Sequence, residues 1–166
     1  MKNIINVFAV SILLFFTQCG PTTQDAVDYN EKVITDQLLV IDAINNLDST
    51  FISYNPKLIE PALNNANLQV EKAISNLKEF GVFNNDSGFY NGTMALYNLF
   101  EKQLNNEYLE QFEIYKLSEE DYTEAKRIRY NELLEKINDD YALISDKFLV
   151  AQKDFAKKWN LELKTY

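Results

Sequence analysis

Residues that break helices are confined to three short regions of this chain. The glycines are Gly20, Gly81, Gly88 and Gly92, and the prolines are Pro21, Pro56 and Pro61. Because glycine and proline are the strongest local breakers of regular structure, the long segments between these regions are free to form uninterrupted helices. Those segments lack the period-two alternation and the hairpin turns that are typical of strands. This distribution restricts the chain to an all-α fold.

Each segment carries one apolar stripe with the alternating three- and four-residue spacing of an amphipathic helix. The predicted stripes are Val33, Val40, Ile44, Leu47, Phe51 and Tyr54; Leu63, Ala66, Val70, Ala73, Leu77 and Phe80; Tyr97, Phe100, Leu104, Tyr108, Phe112 and Tyr115; and Tyr130, Leu134, Ile137, Tyr141, Ile144, Phe148, Ala151 and Phe155. Four stripes that must be buried against one another predict an elongated antiparallel four-helix bundle with a long C-terminal helix.

Turn and capping residues predict where these helices begin and end. The residue before Pro56 ends the first helix, and Gly81 supplies a left-handed cap after the second. A polar loop at residues 81–92 precedes the third helix. Ser118 with Asp121 three residues later predicts the start of the fourth helix at about residue 119.

The N-terminus has the organisation of an export signal. Lys2 provides a short positive region, and the apolar stretch Ile4–Phe16 spans only about 20 Å as a helix, too short for a hydrocarbon core of about 30 Å. The only cysteine, Cys19, follows closely. This arrangement resembles a bacterial lipoprotein signal, in which the cysteine thiol is diacylated and the preceding peptide is removed. Gln18 departs from the small residue that usually precedes the cysteine, as in relaxed signals of spirochaetes and Bacteroidota.

We therefore predict a signal peptide at residues 1–18, an anchor and linker at 19–26, and one helical domain at 27–166. Lipidation of Cys19 would attach the chain to a membrane of the bacterial cell envelope. We expect an outer-membrane lipoprotein, facing either the periplasm or the cell surface. The alternative is a plain thiol after an ordinary secretory signal, which would leave a reactive unpaired cysteine in an exported protein.

The composition excludes most catalytic and metal-binding chemistry. Histidine is absent and cysteine occurs once, so the chain has no histidine base, no zinc site of histidine or paired cysteines, and no disulfide. The formal charge of −9 and the pI near 4.5 disfavour nucleic-acid binding, because an anionic surface repels phosphate. We expect a protein that is not an enzyme and that needs no cofactor and no metal.

Two acidic groups could suggest a metal site, and neither has the required pattern. The loop around Asp86 aligns with a calcium loop only if Phe83 and Met94 occupy the first and twelfth ligand positions, which excludes an EF-hand. Glu110 and Glu113 lie three residues apart, a spacing that is typical of solvated helix surfaces with lysine partners nearby.

Three stretches of the chain are informative for comparison with known families. They are DYNEKVI at residues 28–34, LSEEDY at 117–122 and AQKDFAKKWNL at 151–161. Together they resemble the leptospiral-type surface protein family, small helical lipoproteins that are also found in Bacteroidota. The resemblance covers most of residues 19–163. It implies a lipid-anchored, mostly helical envelope protein of no established activity, and it transfers no catalytic residue to this chain.

Two functions of different classes remain open. The first is a non-catalytic interaction or scaffolding module that presents a helical face or the loop at 81–92 to an envelope protein. The second is a ligand carrier or chaperone-like holder with a cavity of several hundred cubic ångströms lined by Tyr97, Tyr108 and Tyr141. Core packing is the expected role of these tyrosines and of the fourth stripe, with docking of a partner helix as the alternative for that stripe.

Overall fold

The computed structural model describes residues 20–53 and 55–163, and the fold there is all-helical. The helices are α1 (Thr23–Ile52), α2 (Pro56–Phe80), α3 (Ser87–Asn105), α4 (Glu107–Tyr115) and α5 (Glu124–Trp159). The only β-type pairing among these residues is an isolated bridge between Phe83 and Asp86. Because α3 and α4 follow one another with a single residue between them, the helices form four arms, and the predicted bundle is confirmed.

Helix α1 begins earlier than the apolar stripe indicated. The Asp25 N–H donates to Thr22 Oγ1 at 3.2 Å, and the Thr22 N–H donates to the Asp25 carboxylate at 2.7 Å. This reciprocal capping box satisfies two backbone donors that a helix start otherwise leaves open. Ala26, which the predicted linker includes, is completely buried in α1. The helical body therefore begins at Thr23 rather than at residue 27.

The loop between the second and third arms is shorter than predicted. Gly81 follows α2 with φ +66° and ψ −169°, so its φ is positive but its conformation is not the left-handed helical one that the sequence predicted. Asp86 then accepts from the Gly88 N–H at 3.3 Å and caps α3, which starts at Ser87. The loop is therefore residues 81–86, and the predicted loop at 81–92 was too long because Gly88 and Gly92 are helical.

The third arm consists of two helices, α3 and α4, which share one apolar stripe. Asn106 has φ −128° and ψ −77°, outside the helical region, and separates α3 from α4. Leu104 and Tyr108 on either side of this break both remain buried, so the stripe continues across it. The prediction of a single third helix was wrong at this position, although its apolar face was correct.

Helix α5 starts five residues later than the prediction. Ser118 and Asp121 do bond to each other, at 2.7 Å between side chains, but they close a turn before Thr123, which is the N-cap. The helix then runs for 36 residues, roughly 54 Å. Its core face includes Leu133, which the predicted stripe omitted.

Three other positions of the predicted fourth stripe need correction. Leu134 is 39% exposed and Tyr141 is 36% exposed, whereas Ile144 is half-buried. Ile137, Phe148 and Phe155 are buried as predicted. The buried face of α5 includes fewer of the stripe residues than predicted, because α5 contacts neighbouring helices on only part of its circumference.

The arms pack as antiparallel neighbours in the order α1, α2, α3 and α5. Asn76 of α2 donates to Asp36 of α1 at 3.0 Å. Gly92 of α3 lies directly against α5, since an ideal Cβ placed on it would be 2.8 Å from the Ala151 Cβ. The largest fully buried side chains include Tyr97 and Phe148, so the centre of the bundle is filled.

An aromatic cluster closes the end of the bundle from which the N-terminal segment emerges. Its members are Tyr29, Phe83, Phe89, Phe155 and Trp159, with neighbouring ring centroids 5.0 to 6.4 Å apart. The Tyr29 hydroxyl donates to the Gly81 carbonyl at 2.9 Å, and burial raises the pKa of Tyr29 to about 12. The cluster joins α1, α3, α5 and the loop at 81–86 in one packed unit.

We predict that Gly92→Ala destabilises the protein, although alanine is the better helix former. The added methyl would lie 2.8 Å from the Ala151 Cβ, so α3 and α5 would have to move apart. Overpacking of this kind costs about 1–3 kcal/mol, against a gain of up to about 1 kcal/mol in helix propensity. Chemical denaturation should therefore show a net loss in the free energy of unfolding.

Gly88→Ala is the matched control for this substitution. A methyl at Gly88 would lie 3.5 Å from Asp86 Oδ1, an ordinary contact distance. This variant should be at least as stable as the wild type. Equal stabilities of the two alanine variants would contradict the close approach of α3 and α5.

Candidate functional site

Helices α1 and α5 are joined at two places and leave a pocket between them. Near one end, Gln152 of α5 donates to the Asn30 side chain of α1 at 3.0 Å. Near the other end, the rings of Phe51 and Tyr130 lie 6.5 Å apart. Between these contacts is a pocket of about 210 Å³, with α1 and α5 as its walls and residues of α3 and α4 as its floor.

The pocket has apolar walls and an aromatic surface. The ten lining residues are Ile41, Ile44, Asn45, Asp48, Phe100, Gln103, Tyr108, Ile137, Asn138 and Tyr141. Phe100 of α3 and Tyr141 of α5 stack with 5.7 Å between ring centroids and 30° between planes. Tyr141 remains 36% exposed although its ring stacks on Phe100.

One carboxylate lies in this pocket. The Tyr108 hydroxyl donates to Asp48 Oδ1 at 2.9 Å. Although Asp48 as a residue is exposed, its carboxyl group lies against the pocket lining, and this desolvation raises its pKa above the usual range. The hydrogen bond from Tyr108 acts in the opposite direction. Burial, followed by the nearby Asp48 charge, likewise raises the pKa of Tyr108.

The other polar groups of the pocket are amides. Gln103, which is 1% exposed, donates from Nε2 to the Ile137 carbonyl of α5 at 3.0 Å. This bond links α3 to α5 and leaves Gln103 Oε1 as an acceptor. Asn45 and Asn138 add amide groups from the two walls. None of the lining residues is lysine or arginine, so the pocket carries a negative charge.

A second depression is larger but less enclosed. It measures about 460 Å³ on the surface shared by α1 and α2. Its lining is Asp28, Glu31, Lys32, Thr35, Asp36 and Phe80, of which four are charged and four are exposed. A shallow surface between solvated charges offers a ligand little burial, so we assign the candidate site to the smaller pocket.

The tyrosines of the predicted cavity have separate positions in the structure. Tyr108 and Tyr141 line the pocket, whereas Tyr97 is 1% exposed in the bundle centre and donates to the Val33 carbonyl at 3.3 Å. The pocket volume of about 210 Å³ is also smaller than the cavity of several hundred cubic ångströms that was predicted for a ligand carrier. Cys19, the predicted lipidation site, lies outside the described residues.

Sequence reasoning missed the polar residues of the pocket. Gln103 is adjacent to the stripe residue Leu104, and Asp48 is adjacent to Leu47. A polar residue beside a stripe is typical of a helix surface, and only the position of a neighbouring helix makes it part of a pocket. No signal in the sequence singled out Asp48 or Gln103.

The acidic residues considered for metal binding have structural partners. Asp86 pairs with Lys158 at 2.9 Å, and this hydrogen bond lowers the Asp86 pKa. The Trp159 indole also lowers that pKa, although its Nε1 makes no hydrogen bond of good geometry. Glu110 pairs with Arg129 at 2.8 Å, which lowers the Glu110 pKa. Within residues 20–53 and 55–163, no group of three carboxylates is arranged to hold a metal ion.

Comparison with known proteins assigns neither a family nor a function to this chain. No family model, curated protein or solved structure matches this chain. The resemblance to leptospiral-type surface proteins therefore stays a prediction. In the part of the chain that the structure describes, every helix is too short or too polar to traverse a bilayer.

We predict that Asp48→Asn raises the melting temperature at neutral pH. Asparagine keeps the shape and can still accept from Tyr108, but it removes the desolvated charge. Because the pKa of Asp48 is raised in the folded state, its carboxylate costs stability above that pKa. This cost disappears as the pH falls below the unfolded value of 3.8. Thermal melts should show the gain at neutral pH and lose it at about pH 3.

Asp42→Asn is the control, since Asp42 is an exposed aspartate on the same helix. It should change stability by less than about 0.5 kcal/mol at either pH. A gain for Asp48→Asn that is the same at both pH values would show that removal of the charge is not its cause.

Proposed function

We propose that this protein is a lipid-anchored component of the bacterial envelope that acts as a non-catalytic interaction module. Cys19 is its proposed attachment point, with residues 1–18 removed as a signal peptide. An envelope protein is the proposed partner.

Support for a fixed attachment comes from the position of α1. The capping box at Thr22 and Asp25 starts the helix three residues after Cys19. A tether of three residues reaches at most about 11 Å. A lipid on Cys19 would therefore hold the aromatic end of the bundle close to the membrane surface and direct the opposite end away from it.

The single observation that carries the interaction role is the filled bundle centre. Because Tyr97 and Phe148 fill it, the surfaces left for a partner are the pocket and the outer helix faces. Leu143 and Val150 lie one heptad apart on the side of α5 opposite Phe148, and they are 57% and 58% exposed. This pair is the apolar element of α5 that contributes least to the fold.

The pocket between α1 and α5 favours a second candidate function, that of a small-ligand holder. Its aromatic lining and its desolvated carboxylate are features of binding sites. With a volume of about 210 Å³ it suits a small molecule rather than an unfolded protein client. The chaperone-like variant of this function consequently has less support than the small-ligand variant.

We predict that Cys19→Ser abolishes lipid attachment. In a bacterial host that processes lipoproteins, a clickable fatty-acid analogue should label the wild-type protein and leave the serine variant unlabelled. The variant should accumulate as unprocessed precursor or as protein released from the membrane fraction. Labelling of the serine variant at the wild-type level would contradict the anchor.

The same labelled preparations test the interaction role. Cross-linking in intact envelopes should yield one specific adduct with the wild-type protein, and Leu143→Ser with Val150→Ser should remove it. Leu68→Ser is the control, because Leu68 is 59% exposed on α2. An adduct that persists in the double variant and disappears in the control would contradict an interface on α5.

A further inference from the structure

We propose that the pocket between α1 and α5 binds a small organic ammonium ion, with its charged group against the Asp48 carboxylate and its apolar body against Phe100 and Tyr141. This inference rests on the ligand-holding candidate of the proposed function and names its ligand class. It does not depend on the lipid anchor or on the outer face of α5.

Asp48 is the carboxylate of the pocket, and no lysine or arginine among the described residues pairs with it. Its only hydrogen bond among the described residues is the one it accepts from the neutral Tyr108 hydroxyl. Two other carboxylates of the bundle are paired with a lysine: Glu107 lies 3.0 Å from Lys136, and Asp86 lies 2.9 Å from Lys158. A desolvated charge without a counter-charge is unfavourable, and a bound cation relieves that cost.

The polar groups around the Asp48 carboxylate include the acceptors that an ammonium group needs. An ammonium group carries three donors and no acceptor. The pocket offers it the Asp48 oxygens, Gln103 Oε1 and the amide oxygens of Asn45 and Asn138. An anionic ligand would meet the Asp48 charge with no lysine or arginine in the lining to offset it. A neutral apolar ligand would leave that charge desolvated and still unpaired.

An aromatic surface lies in the same pocket as the Asp48 charge. Phe100 and Tyr141 stack at 5.7 Å and form an apolar face within the same pocket as Asp48. A carboxylate next to aromatic rings is a combination suited to organic cations, because the ring faces attract positive charge and also bury hydrocarbon. The net charge of −9 further favours the approach of cations over anions.

The size of the pocket limits the ligand. The pocket volume is about 210 Å³. This is below the range of about 300–1,000 Å³ that is typical of drug-sized ligands. An amine with one ring or a short alkyl chain fits this volume, whereas a bare inorganic cation would leave the aromatic face uncovered.

The test uses the protein as purified from its bacterial host in detergent micelles, titrated with phenethylammonium chloride by isothermal calorimetry. The matched neutral probe is 2-phenylethanol, which has the same ring and chain but no charge. We expect saturable binding of the amine and at least about tenfold weaker binding of the alcohol. Asp48→Asn should reduce amine affinity at least about tenfold while raising the melting temperature at neutral pH.

Two further variants separate a binding role from a structural one. Asp42→Asn should leave amine affinity unchanged, because Asp42 is exposed on α1 and does not line the pocket. Tyr141→Ala should weaken amine binding because it removes one of the two stacked rings. Circular dichroism of each variant would confirm that the helices are retained.

Several results would overturn the inference. They are an absence of saturable amine binding by the wild type up to about 10 mM, equal affinities for the amine and the alcohol, and an unchanged affinity in Asp48→Asn. Full displacement of the amine by an equimolar concentration of potassium or sodium chloride would show an inorganic cation site instead. Each of these outcomes leaves the fatty-acid labelling of Cys19 and the cross-linking through α5 unaffected, so a failure here is distinguishable from a failure of the proposed function.

Discussion

The close approach of α3 and α5 determines how the rest of the bundle is arranged. At Gly92 there is no room for a side chain, because the Ala151 methyl of α5 occupies that space. The contact allows Phe89 and Phe148 to pack with ring centroids 5.8 Å apart, and the Gln103 bond to the Ile137 carbonyl continues the pairing along α5. Since α5 is held mainly against the third arm, it contacts α1 only near its two ends and faces it across a pocket between them.

One end of the bundle is consequently filled by aromatic rings, whereas the part towards the other end contains the pocket with its carboxylate. Around Tyr29 and Phe155, rings from three helices and a loop pack together, and this end adjoins the segment that carries Cys19. Beyond it, the facing surfaces of α1 and α5 enclose Asp48 and Tyr108. A packed end near the proposed anchor and a charged pocket away from it would suit a protein that is fixed at a membrane and binds small molecules or partners above it.

Periodicity predicted the four arms and most of their buried residues, because burial of an apolar stripe is a property of each helix by itself. It did not predict the helix boundaries, which depend on single hydrogen bonds such as that from the Asp25 N–H to Thr22, or on the backbone of Asn106. The pocket could not be predicted either. Asp48 and Gln103 become a site only through the tertiary position of α5, which no local pattern records.

The central claim is that the apolar stripe of α5 is core and not a docking face for a partner helix. The direct measurement is the free energy of unfolding of Phe148→Ala, with Leu149→Ala as control, since Phe148 is 2% exposed and Leu149 is 42% exposed. The packing against Phe89 predicts a loss of about 3–5 kcal/mol for Phe148→Ala and a much smaller loss for Leu149→Ala. An unchanged stability of Phe148→Ala would contradict the account.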